Sequence, residues 1–184
     1  HTEFKDSPVG KIPVGWEVKT VGEIASAKGG KRLPKGKSFS LVRTNYPYIR
    51  VSDFENGTIN KEELKYVDDD VRDAIARYTI SSNDLYISIA GSIGIVGVIP
   101  NDLEGSLLTE NAAKLVIIRS VVWRDFLKFC LNFESSQSQF NQGKGTGGGV
   151  PKLALFRICE ILVPLPPLPE QQKIASILSS MDSH

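Results

Sequence analysis

The 184-residue sequence has no histidine between its end positions, His1 and His184. That absence argues against the Ser-His and Cys-His relays of nucleophilic catalysis and against a zinc site within the fold. There are also only two cysteines, Cys130 and Cys159, which are too few for a disulfide framework. We therefore expect both to be small buried apolar residues in a protein of a reducing, cytoplasmic compartment.

Long apolar runs are absent as well. The most apolar stretch, residues 85–100, contains Gly91, Gly94 and Gly97, and it is too short for a lipid-facing helix. The N-terminus has no apolar segment typical of a secretory signal. We expect no membrane partner, and we expect a fragment or a processed chain, because the sequence does not begin with Met. Apolar residues make up 41% and charged residues 23%, which is typical of a globular protein with a real core.

The net charge of +1 hides an uneven distribution. Residues 24–52 contain seven basic side chains and no acid, whereas residues 53–73 contain eight acids and three basic side chains. Residues 135–159 again contain no acid. A basic face that attracts a polyanion is therefore compatible with near-neutral overall charge. Ordinary solvated loops would produce the same pattern.

The residue pattern predicts a β-rich α+β fold. Strands are expected at 46–51, in two runs within 85–99, at 115–118 and at 158–163. Helices are expected at 68–78, at 123–140, where phenylalanines recur at helical spacing, and after Pro169. Glycine and proline predict irregular structure at 28–38 and 141–150.

Two enzymatic interpretations are weak. Residues 36–38 (GKS) end like a phosphate-binding loop, but the preceding glycine has the wrong spacing and a strand-like segment follows. Residues 63–65 (ELK), with Asp53 upstream, resemble a metal-dependent nuclease element, although such triplets arise by chance in a chain with 21 acids. The acids at 68–70 fit the first turn of a helix better than a cation site. We expect no cofactor and no metal, and we keep the nuclease as a third alternative.

Several segments together resemble one protein family. The proline-rich residues 164–175 (PLPPLPEQQKIA) resemble a junction in the specificity subunit of Type I restriction–modification enzymes, where a target-recognition domain joins a long conserved helix. Further segments similar to that family are 12–16 (IPVGW), 30–36 (GKRLPKG), 48–53 (YIRVSD), 89–94 (IAGSIG), 109–113 (TENAA) and 145–152 (GTGGGVPK). The junction is the specific element, and the segments cover nearly the whole chain.

The resemblance implies a non-catalytic module that reads one half of a split double-stranded DNA target. Methyltransferase subunits and a motor-nuclease subunit then act on the DNA, on other chains. Residues 1–163 would form the recognition domain, and residues 164–184 the proline-rich hinge and the start of the long helix. A full subunit has two domains and two helices, so this chain is either half-sized and self-pairing or truncated. The main alternative is a protein-interaction adaptor whose basic loop is incidental.

Residue chemistry nominates the contacts. Lysine suits phosphates, arginine can fork onto guanine, and asparagine or glutamine can pair with adenine. The DNA-binding candidates are Lys28, Lys31, Arg32, Lys35, Lys37, Arg43, Arg50, Ser92, Asn141, Gln142, Lys144, Thr146 and Lys152. An alternative partner for Arg50 is Asp53 or Asp84.

The C-terminal helix carries a separate apolar stripe. Ile174, Ile177, Leu178 and Met181 recur at i, i+3, i+4 and i+7. We expect this stripe to dock a partner subunit or a second copy of the chain. The alternative is that the helix packs back on its own domain.

Overall fold

The computed structural model describes residues 1–145 and 149–182, and it confirms the mixed α+β prediction. The strands, in chain order, are β1 Phe4–Lys5, β2 Ile12–Pro13, β3 Glu17–Thr20, β4 Ala25–Gly29, β5 Pro47–Ile49, β6 Phe54–Glu55, β7 Thr58–Ile59, β8 Lys65–Tyr66, β9 Thr79–Ile80, β10 Leu85–Ser88, β11 Val96–Gly97, β12 Ser106–Leu108, β13 Ala112–Ile117 and β14 Leu162–Leu165. The α-helices are α1 Val21–Ile24, α2 Asp69–Ala74, α3 Arg124–Asn132, α4 Glu134–Gly143, α5 Leu155–Cys159 and α6 Leu168–Asp182. Across these described ranges, no helix has the length and apolar character that a bilayer crossing requires.

Two four-stranded sheets form the centre of the fold. The first has the order β11-β10-β13-β4 and is antiparallel throughout. The second has the order β8-β5-β12-β9, in which β5 and β12 run parallel. The pairs β1-β2, β3-β14 and β6-β7 lie outside these sheets. Because β5 and β12 run parallel, their C-terminal ends, at Ile49 and Leu108, lie next to each other at one edge of the sheet.

Strand β10 is buried on both faces, which explains its unbroken apolar sequence. Leu85 and Ile87 belong to the main core cluster together with Leu127 of α3. Tyr86, which points the other way, packs in a second cluster with Ile49 of β5. The alternation of side chains along one strand therefore joins two layers of core.

The outer face of the second sheet is covered by α2. Tyr48 and Leu107 pack there against Val71 and Ile75. The predicted helix at 68–78 is confirmed in its first part, but α2 ends at Ala74. The acids at its first turn lie where the helix dipole favours negative charge.

The prediction of one continuous phenylalanine-rich helix over 123–140 is wrong. Phe133 adopts an extended conformation (φ −75°, ψ 157°) and separates α3 from α4. The change of direction buries both Phe126 and Phe140, while Phe133 stays 53% exposed. Helical spacing alone does not show such a turn, because both halves keep the same periodicity.

Three other boundaries also differ from the predictions. Lys28 and Gly29 belong to β4, because pairing with β13 extends the strand into a loop-like sequence. Residues 141–143 belong to α4 instead of a loop. Residues 158–159 lie in α5, where Ile158 is fully buried, and the strand begins only at Leu162.

The cysteine prediction holds for one residue of the two. Both Cys130 and Cys159 are free thiols. Cys130 is buried in the main core, and this burial raises the pKa of its thiol to about 12. Cys159 is only half-buried.

The proline-rich junction is anchored to the N-terminal segment. Strand β14, which spans the predicted domain boundary at 163, pairs with β3 along all four of its residues. The Trp16 indole Nε1 donates a hydrogen bond to Glu170 Oε2 at 3.1 Å. Two distant parts of the sequence therefore meet at the start of α6, and the boundary itself stays a prediction.

Gln171 is fully buried at the first turns of α6. Its Oε1 accepts a hydrogen bond from Trp123 N at 2.8 Å. Its Nε2 donates to the carbonyl oxygens of Val121 and Pro166, each at 2.9 Å. The amide group thus ties α6 to the segment that precedes α3.

Candidate nucleic-acid interface

Backbone hydrogen bonds bring together loops that lie far apart in the sequence. Lys31 N donates to Leu108 O at 2.8 Å, so the basic loop after β4 lies on the end of β12. Thr109 N donates to Ile49 O at 3.0 Å. The segments around residues 31, 50 and 109 therefore lie side by side at the ends of the parallel pair.

The same network continues towards the glycine-rich segments. Ile89 N donates to Asn111 O at 2.9 Å, and Leu153 N donates to Ile89 O at 2.8 Å. Gly145 N donates to Lys152 O at 3.0 Å. We call this set of hydrogen-bonded segments the loop edge, and its residues are 30–33, 50–53, 89–94, 109–111, 144–145 and 149–153.

Gly30 sets the position of the basic loop. A Cβ at this residue would lie 2.0 Å from Thr109 O and 2.3 Å from Leu108 O, so no side chain fits. Gly30 N donates to Ala112 O at 3.1 Å. Sequence reasoning treated this glycine as a source of loop freedom, whereas the structure uses it for close backbone approach.

The loop edge contains a cleft of about 370 Å³. Its lining residues are Arg32, Leu33, Phe39, Tyr48, Arg50, Val51, Ser52, Thr109, Glu110 and Asn111. Tyr48 is buried, and its hydroxyl donates to Lys31 O at 2.7 Å. Burial raises the pKa of Tyr48 to about 12, so the phenol is neutral at physiological pH. Two predicted candidates, Arg32 and Arg50, therefore share one cleft.

The Arg32 side chain is 75% exposed and has a loose contact with an acid. Its Nε lies 4.0 Å from Glu110 Oε1. Glu110 Oε2 accepts a hydrogen bond from Thr109 Oγ1 at 3.2 Å. Sequence reasoning did not nominate Glu110 or Asn111, and the signal available was their place in a motif of the family resemblance.

Arg50 has the alternative partner that the sequence suggested. Its Nη2 donates to Asp53 Oδ1 at 3.2 Å and to Glu63 O at 3.0 Å. The backbone N of Arg50 also donates to Asp53 Oδ2 at 2.8 Å. These hydrogen bonds hold the guanidinium beside the 3-10 turn Val51–Asp53, which directly follows Arg50.

A cationic group surrounds Tyr78 beside the loop edge. Lys31 Nζ lies 5.6 Å from the Tyr78 ring centroid, and the Arg77 guanidinium lies 5.7 Å from it. Lys28 on β4 is opposite Lys114 on β13. The sequence analysis did not nominate Arg77 and Lys114, because it selected cations from the two acid-free stretches, 24–52 and 135–159. Both residues lie outside those stretches.

Asp84 lies buried near this group, and its replacement by asparagine tests the local electrostatics. Burial, the largest cause, raises the pKa of its carboxyl, while the hydrogen bond from Ser81 N at 2.8 Å and the charges of Lys114 and Lys28 act in the opposite direction. Because this pKa is raised in the folded state, the protonated Asp84 carboxyl stabilises the fold at acid pH. That contribution to the free energy of unfolding is lost as the pH rises through the raised pKa. We therefore expect Asp84→Asn to be more stable than the parent at pH 7, with the difference vanishing below the ordinary carboxyl range. Thermal melting between pH 3 and pH 8 measures this.

The control for that variant is Asp102→Asn. Lys61 lowers the pKa of the exposed Asp102, so this substitution should not stabilise the protein at neutral pH. A loss of stability in Asp84→Asn at pH 7 would show that the Ser81 hydrogen bond and the attraction by the two lysines together outweigh burial.

Other predicted contacts lie against α2. Lys37 Nζ pairs with Asp70 Oδ2 at 2.8 Å. The Arg43 guanidinium lies 5.8 Å from the Tyr66 ring centroid, and Arg43 lines a cleft of about 760 Å³ with the acids 68–70. Lys35 is exposed in the turn that precedes Lys37. Asp70 therefore partly neutralises the charge of Lys37.

The remaining DNA-binding candidates lie in different parts of the fold. Ser92 and Lys144 are exposed on the loop edge. Asn141 and Gln142 are exposed in the last turn of α4, where Gln142 lines a separate small cleft. Thr146 lies outside the described residues.

The apolar stripe of α6 is divided. Ile174 is half-buried and packs against the domain's own core, as the alternative interpretation held. Leu178 is half-buried as well. Ile177 is 53% exposed and Met181 is 65% exposed. The first half of the helix is thus part of the domain, and its second half presents apolar side chains outward.

The nuclease alternative finds no support in the geometry. Asp53 is buried and hydrogen-bonded to Arg50, while Glu63 is exposed. Within residues 1–145 and 149–182, no group of three or more His, Cys, Asp or Glu side chains is arranged to hold a metal ion.

Comparison with known proteins gives a consistent result. The family model of the Type I restriction modification DNA specificity domain matches residues 13–184. The type I restriction enzyme MjaIX specificity subunit of Methanocaldococcus jannaschii is 28% identical over 185 residues, covering 99% of this chain and 41% of that protein. The chain therefore spans less than half the length of this curated relative.

Solved structures show the same fold. A chain from a type I R-M system superimposes with a TM-score of 0.72 at 19% identity, covering 98% of this chain and 41% of that one. The HsdS subunit from Thermoanaerobacter tengcongensis gives a TM-score of 0.69 at 20% identity, covering 92% and 43%. At such identities the likeness concerns the fold.

Proposed function

The chain belongs to the family of Type I restriction modification DNA specificity domains, and we propose that it recognises one half of a bipartite double-stranded DNA target. In this proposal the chain forms and breaks no covalent bonds. It works in the cytoplasm with methyltransferase subunits and, through them, with the motor-nuclease subunit.

The observation that carries the proposal is the loop edge. Exposed cations from two distant segments, Lys31 and Arg32 in one and Lys144 in the other, lie on hydrogen-bonded loops at one end of the fold. Long-stemmed cations on rigid turns position a phosphate backbone, while side chains between them reach base edges. Arg77, which lies over the same Tyr78 ring as Lys31, adds a further cation beside the loop edge.

The junction supports the assembly part of the proposal. The start of α6 is fixed to the domain by Gln171 and by the contact of Trp16 with Glu170. The exposed Ile177 and Met181 further along the helix are suited to a partner subunit or to a second copy. A helix held in this way would fix the position of the docked partner relative to the bound half-site.

Salt titration of duplex binding tests the proposal. Each phosphate contact contributes about −0.9 to the slope of log K against log salt. Lys31→Ala combined with Lys35→Ala should weaken binding to all duplexes alike and reduce the slope by about 2. Arg32→Ala should instead relax the preference at one base pair. Fluorescence anisotropy over a range of salt concentrations measures both effects.

The matched control is Lys5→Ala combined with Lys11→Ala, two exposed lysines of the N-terminal hairpin. It removes the same charge and should leave the slope nearly unchanged. Equal effects of the two double variants would remove the basic loop from the interface. An adaptor without DNA binding would show neither a steep slope nor a preferred sequence.

A further inference from the structure

Two opposite charges lie side by side in the cleft of the loop edge, and neither satisfies the other. The Arg32 side chain is 75% exposed, and its guanidinium donates no hydrogen bond to any residue that the structure describes. Its Nε lies 4.0 Å from Glu110 Oε1, which is beyond hydrogen-bond distance. An exposed pair at this separation contributes little to stability, so a ligand can part the two groups at little cost.

The Glu110 carboxylate is fixed through one oxygen and accessible through the other. Its Oε2 accepts a hydrogen bond from Thr109 Oγ1 at 3.2 Å, and the Tyr48 hydroxyl lies 3.5 Å from the same oxygen. Its Oε1 accepts none. Among the described residues, Arg50 Nε is the only side-chain nitrogen or oxygen that is both buried and unpartnered, so Glu110 Oε1 reaches the surface. A ligand in the cleft can therefore contact this acceptor.

Short-range hydrogen bonds hold the backbone under both charges. The Tyr48 hydroxyl donates to Lys31 O at 2.7 Å, at the residue before the arginine. Asn111 N donates to Thr109 Oγ1 at 3.3 Å across the residue that bears the carboxylate. Because these segments are ordered before binding, little conformational entropy is lost when a ligand engages them.

A carboxylate in a DNA-binding cleft has few favourable partners. Phosphates repel it, and the donors that bases present in the major groove are cytosine N4 and adenine N6. A guanidinium fork fits guanine best, because its two parallel donors meet the adjacent acceptors O6 and N7. Cytosine N4 lies beside guanine O6 in the same pair, so one G·C pair satisfies both groups. In an A·T pair the adenine amino group takes the place of guanine O6, and one arm of the fork then meets a donor.

We propose that Arg32 and Glu110 together read one G·C base pair in the major groove. The Arg32 guanidinium donates to guanine O6 and N7, and Glu110 Oε1 accepts from cytosine N4. This inference rests on the proposed DNA-recognition function and deepens it, because it assigns a base pair to one cleft. Leu33, Phe39 and Val51 also line the cleft, and such apolar walls strengthen hydrogen bonds to a ligand. A reversed C·G pair would set the carboxylate against the guanine acceptors, so the orientation of the pair is read as well.

Selection of binding sites from a random duplex library provides the first test. The parent chain should enrich a sequence that contains a required G·C pair. Arg32→Ala and Glu110→Ala should each reduce the preference at that same pair about tenfold. Their effects on non-specific duplex should be opposite, because the first removes a positive charge from the interface and the second a negative one. Glu110→Gln keeps an acceptor oxygen and should retain most of the preference.

The matched controls are Arg119→Ala and Glu3→Ala. Both residues are exposed and lie outside the loop edge, and they carry the same two charges. Neither substitution should change the selected sequence.

Modified bases in the selected duplex provide a second test. At the required pair, 7-deazaguanine deletes the N7 acceptor and 2-pyrimidinone deletes the cytosine amino group. Each should lower the affinity of the parent chain about tenfold. Arg32→Ala should be insensitive to the first replacement, and Glu110→Ala to the second. Inosine keeps O6 and N7 and removes one hydrogen bond from the pair, so it controls for weakened pairing and should have little effect.

The outcomes are separable. A parent chain that selects no sequence would overturn the DNA-recognition proposal and this inference with it. A selected sequence that Glu110→Ala leaves unchanged would overturn this inference alone, as would variants that act at two different pairs or at an A·T pair. Should an alanine variant fail to fold, as melting would show, the parent chain decides with the modified duplexes. Tolerance of either 7-deazaguanine or 2-pyrimidinone at every G·C pair of the selected sequence would then refute the inference.

Discussion

Gln171→Ala is expected to lower the free energy of unfolding by about 3 kcal/mol and the melting temperature by roughly 6–12 °C. The substitution removes a fully buried amide and leaves Trp123 N and the carbonyl oxygens of Val121 and Pro166 without that partner. The hydrogen bond to Pro166 is buried, and the other two are half-buried. A buried polar group without a partner costs about 1–3 kcal/mol, and partial relaxation reduces the sum. Urea unfolding and thermal melting both measure the effect.

The neighbouring Gln172 supplies the control. It is exposed on the same helix, so Gln172→Ala changes the same residue type at nearly the same position without opening a buried network. Its expected effect is within about 0.5 kcal/mol. Similar losses in the two variants would mean that the Gln171 network does not hold α6 to the domain.

The junction illustrates what local sequence can and cannot predict. Its prolines and Glu170 indicated the start of a helix, and α6 begins there. Gln171 gave no signal, because its partners at residues 121 and 123 lie about 50 positions away. The contact of Trp16 with Glu170 spans an even longer stretch of chain. Hydrogen bonds of this kind follow from tertiary packing and not from periodicity or propensity.

Elements with strong local patterns were predictable for the same reason. The apolar run at β10 and the acid-capped α2 follow from burial on two faces and from the helix dipole. The break at Phe133 was not predictable, because helical spacing persists on both sides of it. The extension of β4 through Lys28 depended on a partner strand some 85 positions later.

The candidate site divides along similar lines. The acid-free stretch at 24–52 predicts a basic segment, and the loop edge contains part of that stretch. One-dimensional charge could not show that Lys37 pairs with Asp70 or that Arg77 joins Lys31 around Tyr78. These pairings depend on how the strands are ordered in the second sheet.

Gly30→Ala is expected to have the largest effect on the loop edge, with a loss of about 3 kcal/mol or more in stability. The added Cβ would meet the backbone oxygens of Thr109 and Leu108 at 2.0 and 2.3 Å, so the chain itself must move. That movement would separate Lys31 and Arg32 from the 108–111 segment. Duplex affinity, measured at a temperature where the variant is still folded, should therefore fall together with stability.

Gly29→Ala, at the last residue of β4 and directly before Gly30, is the matched control. A Cβ at Gly29 has nothing within 4 Å, and neither glycine has a positive φ, so the two positions differ in the space around them and not in backbone strain. Alanine at Gly29 should be neutral or should stabilise β4 by up to about 1 kcal/mol, because glycine is unfavourable in a strand. If Gly30→Ala folded as stably as Gly29→Ala and bound duplex equally well, the close approach at Gly30 would not set the position of the basic loop. A loss confined to Gly30→Ala would show that this backbone contact holds the cationic residues in place for DNA.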